Sequence, residues 1–193
     1  MSDTPDAIDA IAARHPSPGE KFFPPFKPTP TLKKKAKELV ALYPEGREQS
    51  AVLPIIHMVQ EKFGFISPDS IPWIAEMCGS TPIHVAGVVS FYPGIRRKCP
   101  GKWHIRVCHT IACALSGGEE LLPYICEKTG INPAEMTDEE PMAVSPDGLW
   151  SLEAVECLAN CGFGPNLMIN DTLYSRVDKA KVDELVAEYA EKA

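Results

Sequence analysis

Four of the seven cysteines in this sequence form two closely spaced pairs that could bind a metal centre. Four residues separate Cys108 from Cys113, and three separate Cys157 from Cys161. Each pair directly follows a segment with the pattern of a β-strand, so two strands ending at the same edge of a sheet would bring the pairs together. The two irons of a 2Fe-2S cluster take two thiolates each. The spacing therefore favours a 2Fe-2S cluster on these four cysteines.

A zinc site and a thiol–disulfide pair are the chemical alternatives. Structural zinc sites prefer CxxC spacings, although separations of up to four residues occur. A CxxC motif typical of thiol exchange is missing, and so is the plant-type ferredoxin run, which means that a cluster must lie on a different scaffold. Spacing alone favours the cluster and leaves both alternatives open. The cysteine loops are rich in small residues. Small side chains leave room for a wide inorganic core and let backbone N–H groups approach its sulfur atoms. These residues are Ala112, Ala114, Ser116, Gly117, Ala159, Gly162 and Gly164.

Composition narrows the function classes. The chain has 193 residues and a net charge of −7, which argues against a nucleic-acid binder. No stretch approaches the roughly 18–20 apolar residues of a membrane span. The N-terminus MSDTPDAIDA resembles neither a secretory signal nor a transit peptide. We therefore expect a cytosolic or membrane-peripheral protein of a reducing compartment, where clustered cysteines bind metal or do redox chemistry rather than form disulfides.

Common motifs for nucleotide binding and for nucleophilic catalysis are absent from the sequence. It contains no GxGxxG fingerprint, no GxxxxGK[ST] phosphate loop and no GxSxG nucleophile elbow. The chain thus has no visible means of binding NADH or transferring hydride, and we assign it no catalytic residues. We expect an electron carrier rather than a complete catalyst.

The first 30 residues are rich in proline, with Phe22, Phe23 and Phe26 interleaved. This composition predicts an extended arm without regular structure over residues 1–30. We expect the arm to pack on a partner chain, with a disordered tail as the alternative.

Residues 31–91 have a helical period, with apolar residues at three- and four-residue steps. Four short helices joined by tight turns predict a bundle-like domain over this range. Its expected helix boundaries are Leu32 to Pro44, Ser50 (as the N-cap) to Gly64, Ser67 to Cys78, and Ser80 to Phe91.

Residues 92–193 change to short alternating segments that predict strands. The order strand–helix–strand–strand–strand–helix describes an α/β sandwich with a small sheet. Its expected elements are a strand at 103–107, a helix from Gly117 through Cys126, a strand at 149–156, a hairpin of 167–169 and 173–177 around Asn170-Asp171, and a helix at 178–190.

Three stretches of the chain resemble one known family. We find a resemblance to the start of a thioredoxin-like 2Fe-2S ferredoxin domain in FYPGIRRKCPGKWHIRVCHTIACALSGGEELL. The second cysteine motif of that domain is similar to GLWSLEAVECLANCGFGPNLMIND, and the N-terminal helical region resembles SAVLPIIHMVQEKFGFIS and HVAGVVSFYPG. The family is that of the E subunit of bacterial NADH:quinone oxidoreductase (respiratory complex I), and the resemblance covers about residues 31–190.

The resemblance implies a fold, a cofactor and partners. The fold would be α/β, a thioredoxin-like 2Fe-2S ferredoxin domain preceded by a small helical bundle. One 2Fe-2S cluster would be held by Cys108, Cys113, Cys157 and Cys161. A partner subunit would carry FMN and the NADH site, alongside further peripheral-arm subunits of complex I. The chain would exchange electrons with that FMN on the cytoplasmic side of the cell membrane.

Two other functions remain as alternatives. The first is the equivalent diaphorase subunit of an NAD-linked hydrogenase or formate dehydrogenase, and the second is a zinc-stabilised or thiol-redox thioredoxin-like protein. The chain departs from its relatives in His109-Thr110-Ile111-Ala112 and at Phe163. Neither stretch contains a ligand, so these departures bear on the reduction potential and on packing against the partner.

The remaining chemically active residues have simpler interpretations. We expect Cys78 and Cys126 to be buried in the core, because buried cysteine acts as a small hydrophobe. Cys99 is expected to be a surface thiol, although its basic neighbours could lower its pKa. His109 is expected to be an exposed loop histidine, with a hydrogen bond to a cluster sulfur as the alternative. Pro165 is a candidate cis proline by analogy with thioredoxin-like folds.

Overall fold

The computed structural model describes residues 26–137 and 140–192. The described residues form two compact units, residues 26–99 and residues 100–192. Most of the predicted arm, residues 1–25, lies outside the described residues. The sequence-based domain boundary after residue 91 stays a prediction.

The described part of the first unit contains the four α-helices that the sequence predicts. Their apolar sides meet in one core, in which Ile55, Ile56, Ile74 and Val85 have no exposed surface. Burying a side chain of this size stabilises the fold by about 1.5–3 kcal/mol. The helices are α1 (Pro30–Val40), α2 (Val52–Phe63), α3 (Ile71–Met77) and α4 (Pro82–Phe91), with 3-10 turns at Glu48–Ala51 and Pro68–Ser70.

Local side-chain and backbone chemistry sets several helix ends. The Thr29 hydroxyl accepts a hydrogen bond from the Leu32 N–H at 3.2 Å at the start of α1. Thr81 caps α4 in the same way, accepting from the His84 N–H. Gly64 ends α2 with a φ of 82°, a left-handed conformation that favours glycine. These ends confirm the sequence-based expectation for α1, α2 and α4 to within a few residues.

The expected N-cap at Ser50 is wrong. A 3-10 turn at Glu48–Ala51 runs directly into α2, and the Ser50 N–H donates to the Arg47 carbonyl. An N-cap residue needs an extended backbone to turn its hydroxyl onto the helix N–H groups. Ser50 is already within a helical turn, so α2 begins at Val52 without a side-chain cap.

Phe26, the first described residue, packs on its own chain. Its ring centroid lies 5.3 Å from that of Phe63 and 5.4 Å from that of Trp73. This residue therefore has an aromatic contact within its own chain, and the expectation that the arm packs on a partner chain stays a prediction. Phe22 and Phe23 lie outside the described residues.

A five-stranded mixed sheet forms the centre of the second unit, in the order β2-β3-β1-β4-β5. β1 and β3 are parallel neighbours, and the other adjacent pairs are antiparallel. The strands are β1 (Trp103–Cys108), β2 (Met142–Val144), β3 (Trp150–Val155), β4 (Asn166–Ile169) and β5 (Thr172–Ser175).

Three α-helices of the described residues accompany the sheet: α5 (Ile111–Leu115), α6 (Leu121–Thr129) and α7 (Lys179–Glu191). Side chains of α6 and α7, such as Ile125 and Leu185, share one core with Ile105, Leu152 and Leu167 of the strands. Within the described residues, no helix is both long enough and apolar enough to cross a bilayer.

The predicted order of elements omits β2 and α5. β2 has three residues and α5 has five, so neither is long enough to display a recognisable period. The other strands and helices of this unit lie where the sequence predicts them, with ends that differ by at most four residues.

Candidate metal centre

The loops that carry the two cysteine pairs begin at the same edge of the sheet, where β1 and β3 end. Cys108 is the last residue of β1 and lies in register with Val155, the last residue of the parallel strand β3. Because parallel neighbours point the same way, the loops that carry Cys113 and Cys157 start side by side. The predicted convergence of the two strand ends is thus confirmed.

The first pair is buried. Cys108 and Cys113 are each 1% exposed. The Cys108 sulfur lies 3.2 Å from the Thr110 hydroxyl, and α5 carries Cys113 back beside Cys108. This loop therefore holds two thiols close together below the surface.

Glycines fix the backbone around Cys113. A Cβ atom at Gly118 would lie 2.7 Å from the Cys113 carbonyl oxygen, closer than real Cβ contacts allow. A Cβ at Gly164, in the other cysteine loop, would lie 3.2 Å from the Ser116 hydroxyl and 3.5 Å from the Cys113 Cα. A larger residue at Gly118 would therefore push Cys113 aside, whereas at Gly164 the second loop only comes into close contact with the first.

The second pair faces solvent. The sulfur atoms of Cys157 and Cys161 lie 3.2 Å apart, and both residues are exposed. The Ala159 N–H donates to the Cys157 sulfur at 3.3 Å, from a residue with a φ of 58°. The chain then returns to β4 through Gly164-Pro165, a cis peptide bond, as considered for Pro165.

Two asparagines connect the cysteine loops, and sequence reasoning missed both. Asn166 donates from Nδ2 to the backbone carbonyl of Asn160 at 2.8 Å and to the Cys113 sulfur at 3.5 Å. Asn160 donates from its own Nδ2 to Asn166 Oδ1 at 3.0 Å and to the Ser175 hydroxyl at 2.7 Å. Within the sequence, the only signal is that Asn160 lies between Cys157 and Cys161 and that Asn166 follows shortly after Cys161.

The thiols influence one another electrostatically. Burial would raise the pKa of Cys108, but hydrogen bonds from Thr110, Cys113 and the Leu158 backbone outweigh burial and lower it. Burial and the Cys108 thiol raise the pKa of Cys113, against hydrogen bonds from the backbone and side chain of Asn166.

Cys161 connects the second pair to the first. The adjacent Cys157 thiol, followed by burial and the charges of Cys113 and Cys108, raises the pKa of Cys161. The pairs thus lie within electrostatic reach of each other. A cationic centre would relieve the repulsion that four thiolates here would otherwise experience.

The donor set fits a centre that takes its thiolates in pairs. Four sulfur atoms, two from each loop, are the ligand set of a 2Fe-2S cluster. No three His, Cys, Asp or Glu side chains of the described residues are grouped around a position for a single metal ion.

The other cysteines and His109 have no part in this arrangement. Cys78 and Cys126 are buried among apolar side chains in the two units, as expected. Cys99 is half-buried rather than the expected surface thiol. Burial raises its pKa to about 11 despite the lowering effect of Arg96, so the alternative of a thiol with a lowered pKa is wrong. His109 is exposed, as expected, and its Nε2 lies 3.5 Å from a Glu156 oxygen.

Large apolar side chains are exposed on both cysteine loops, and helix α5 contacts the turn at Cys161–Phe163. Ile111 and Leu115, on either side of Cys113 in α5, are 76% and 83% exposed. Phe163, two residues after Cys161, is 51% exposed, and the Arg176 guanidinium lies 5.1 Å from its ring centroid. Apolar surface of this kind marks interaction sites.

Comparisons with known proteins agree with the sequence motifs. Residues 36–190 match the family described as thioredoxin-like [2Fe-2S] ferredoxin. NADH-quinone oxidoreductase subunit 2 of Thermus thermophilus is 40% identical over 152 residues, which span 78% of this chain and 80% of that protein. The E subunit of the Aquifex aeolicus NADH-quinone oxidoreductase is 34% identical over 158 residues, which span 82% and 92% of the two chains.

A solved structure shares the fold. A chain of the NAD+-reducing [NiFe]-hydrogenase in its H2-reduced state superposes with a TM-score of 0.59 at 18% identity, over 76% of this chain. The match spans 23% of that longer chain. The fold class and the family resemblance predicted from the sequence are both confirmed. With its paired thiols at the end of two parallel strands, the chain belongs to the thioredoxin-like [2Fe-2S] ferredoxin family.

Proposed function

We propose that this chain is an electron-transfer subunit of an NADH:quinone oxidoreductase of the complex I type. One observation carries the proposal: two thiol pairs converge at the shared edge of β1 and β3, in a chain whose relatives at 34–40% identity are subunits of that enzyme. Cys108, Cys113, Cys157 and Cys161 hold one 2Fe-2S cluster. A bound cluster of this kind stores and releases one electron at a time.

The residues of this chain create an asymmetric site. Cys108 and Cys113 hold the inner side and exclude water, since each is 1% exposed. Cys157 and Cys161 hold the outer side, where they are exposed. Electrons therefore enter and leave through the loop of Cys157 and Cys161, which offers the shortest path to a docked redox partner.

The partner is a flavoprotein subunit that carries FMN and oxidises NADH. It docks on the apolar surface of Ile111, Leu115 and Phe163, which are exposed on the two loops that carry the cysteines. Burying these side chains excludes water from the path between the two redox groups and orients the outer thiols toward the flavin. The assembled complex lies on the cytoplasmic side of the cell membrane.

A diaphorase module of an NAD-linked hydrogenase is the second candidate. It is favoured by one observation, the TM-score of 0.59 with a chain of the NAD+-reducing [NiFe]-hydrogenase. Affinity purification of the tagged chain from its native cells separates the candidates. Quinone oxidoreductase subunits in the eluate support the first, and hydrogenase or formate dehydrogenase subunits support the second.

Spectroscopy tests the cluster itself. The chain is purified without oxygen, its iron and acid-labile sulfide are quantified, and the dithionite-reduced form is measured by EPR. We expect about two irons and two sulfides per chain and a rhombic S = 1/2 signal, as for a 2Fe-2S cluster. A colourless protein that contains zinc and gives no such signal would contradict the proposal.

A further inference from the structure

We propose that Asn166 is a positioning residue that raises the reduction potential of the cluster, through a side-chain N–H···S hydrogen bond to Cys113. The inference rests on the proposed function, because it concerns a cluster held by Cys113. Asn166 is the first residue of β4, is 1% exposed, and places Nδ2 3.5 Å from the Cys113 sulfur.

The orientation of the Asn166 amide follows from its other partners. Nδ2 also lies 2.8 Å from the backbone carbonyl oxygen of Asn160, which can only accept a hydrogen bond. Asn166 Oδ1 receives the Nδ2 group of Asn160 at 3.0 Å. A flipped amide would set two acceptors against each other and lose both bonds. The group that faces the Cys113 sulfur is therefore an N–H donor.

The physical effect on an iron-bound Cys113 has a definite sign. Reduction adds an electron, and the added negative charge spreads onto the sulfur ligands. A donor aimed at a ligand sulfur stabilises the reduced form more than the oxidised form, so it raises the potential. Asn166 and Cys113 are both buried, and this bond is therefore weakly screened by water.

A purely structural role for Asn166 is the competing explanation. The Asn160–Asn166 amide pair connects the second cysteine loop to the start of β4, which would stabilise the fold without changing the potential. The backbone of Asn166 also acts on the Cys113 thiol, and that contact survives side-chain replacement. A side-chain variant therefore isolates the amide N–H.

The experiment compares the variants Asn166→Leu and Asn166→Asp with wild type in the full chain. The readout is an EPR-monitored redox titration of the cluster. At one applied potential near the wild-type midpoint, we expect the ratio of reduced to oxidised cluster to fall by roughly 2- to 12-fold in Asn166→Leu, which corresponds to one ordinary hydrogen bond. Asn166→Asp, which replaces the donor by an acceptor of the same shape, lowers the ratio at least as much.

Asn132→Asp is the matched control. Asn132 caps a 3-10 turn through a hydrogen bond that its Oδ1 accepts from the Ala134 N–H, and Asp can accept that bond equally well. We expect its titration to match wild type. If both Asn166 variants assemble the cluster and titrate like wild type and the control, the inference is overturned while the proposed function stands.

If the Asn166 variants fail to assemble the cluster, a measurement on the wild-type protein tests the inference instead. Wild-type protein carrying asparagine labelled with 15N only at the side-chain amide is reduced and examined by pulsed EPR, which detects nitrogen nuclei hydrogen-bonded to cluster sulfur and leaves the unlabelled Asn166 backbone out of the signal. We expect a weak asparagine side-chain coupling, and its absence overturns the inference. A wild-type chain without any iron–sulfur signal instead refutes the proposed function, so the two failures are distinguishable.

Discussion

The Nε2 atom of His104 lies 3.1 Å from a carboxylate oxygen of Glu153, and the two side chains are only 4% and 6% exposed. The Ser151 hydroxyl lies 2.9 Å from the Nδ1 atom of the same ring, so both ring nitrogens have partners. His104 belongs to β1 and the other two belong to β3, the parallel strands whose ends carry the cysteine loops. A buried polar network thus joins the two strands that position the site.

Replacing Glu153 should destabilise the second unit. We expect Glu153→Ala to lower the free energy of unfolding by about 1–3 kcal/mol, because it leaves a buried ring nitrogen of His104 without its partner. Glu153→Gln keeps a polar partner for the His104 ring and should lower the free energy of unfolding by less. Urea unfolding followed by circular dichroism measures both changes.

The chain offers a matched exposed pair as the control. His109 Nε2 lies 3.5 Å from Glu156, but these side chains are 54% and 71% exposed. Exposed pairs contribute little, so Glu156→Ala should change the free energy of unfolding by less than about 0.5 kcal/mol. If Glu153→Ala and Glu156→Ala lower the free energy of unfolding equally, burial does not set the strength of the His104–Glu153 pair.

Gly118 should be essential for the position of Cys113. A Cβ atom there would lie 2.7 Å from the Cys113 carbonyl, so Gly118→Ala forces the loop to move and costs about 1–3 kcal/mol. We also expect less iron per chain, because Cys113 is displaced. Gly162→Ala is the control, since Gly162 neighbours Cys161 but has open space at its Cβ position. Iron content that falls equally in both variants would contradict this explanation.

Much of the fold could be predicted from periodicity because the elements are long enough to show it. α2 has 12 residues and ends at Gly64, and β1 and β3 have six residues each. β2, with three residues, could not be predicted because its strand character comes from pairing with β3 rather than from its own pattern. Ser50 is easily mistaken for a cap because a 3-10 turn and an extended entry to a helix share the same residue types.

The candidate site also has a part that the sequence predicts and a part that it does not. Cysteine spacing predicts which thiols could act together, because ligand chemistry restricts the residue types and their separations. The role of Asn166 could not be predicted, because its contact with Cys113 spans 53 residues and depends on the pairing of β1 with β4. An asparagine has many ordinary uses in loops, so its residue type alone indicates no partner.

Removing one proposed ligand should disrupt the cluster. In Cys157→Ser a hydroxyl replaces a thiolate, so we expect less iron per chain and an altered or missing EPR signal. Cys126→Ala removes a thiol that is 3% exposed in the core of the same unit, and the spectrum of the folded protein should be unchanged. Similar spectra for both variants would show that Cys157 is not a ligand.

Cys99 should resist alkylation near neutral pH. Burial raises its pKa to about 11, and because only the thiolate reacts, its alkylation by iodoacetamide at pH 8 should be roughly 100-fold slower than that of an ordinary thiol. The rate should rise about tenfold per pH unit up to pH 10, as the thiolate fraction does. Mass spectrometry of the Cys99 peptide measures the rate, and the urea-unfolded chain supplies the reference. Equal rates in the folded and unfolded chains would refute this.

Charge on the apolar surface beside the cysteines should weaken flavoprotein binding. Leu115→Glu and Phe163→Glu each place a carboxylate where we expect an apolar contact, and we expect the dissociation constant for the FMN-containing subunit to rise about tenfold or more. Leu42→Glu is the control, because Leu42 is 78% exposed, belongs to the first unit and is not one of the residues of this surface. Binding is measured by biolayer interferometry with chains of equal iron content, so that cluster loss does not imitate a binding defect. If Leu115→Glu and Phe163→Glu bind as wild type while Leu42→Glu does not, the flavoprotein docks on the helical unit instead.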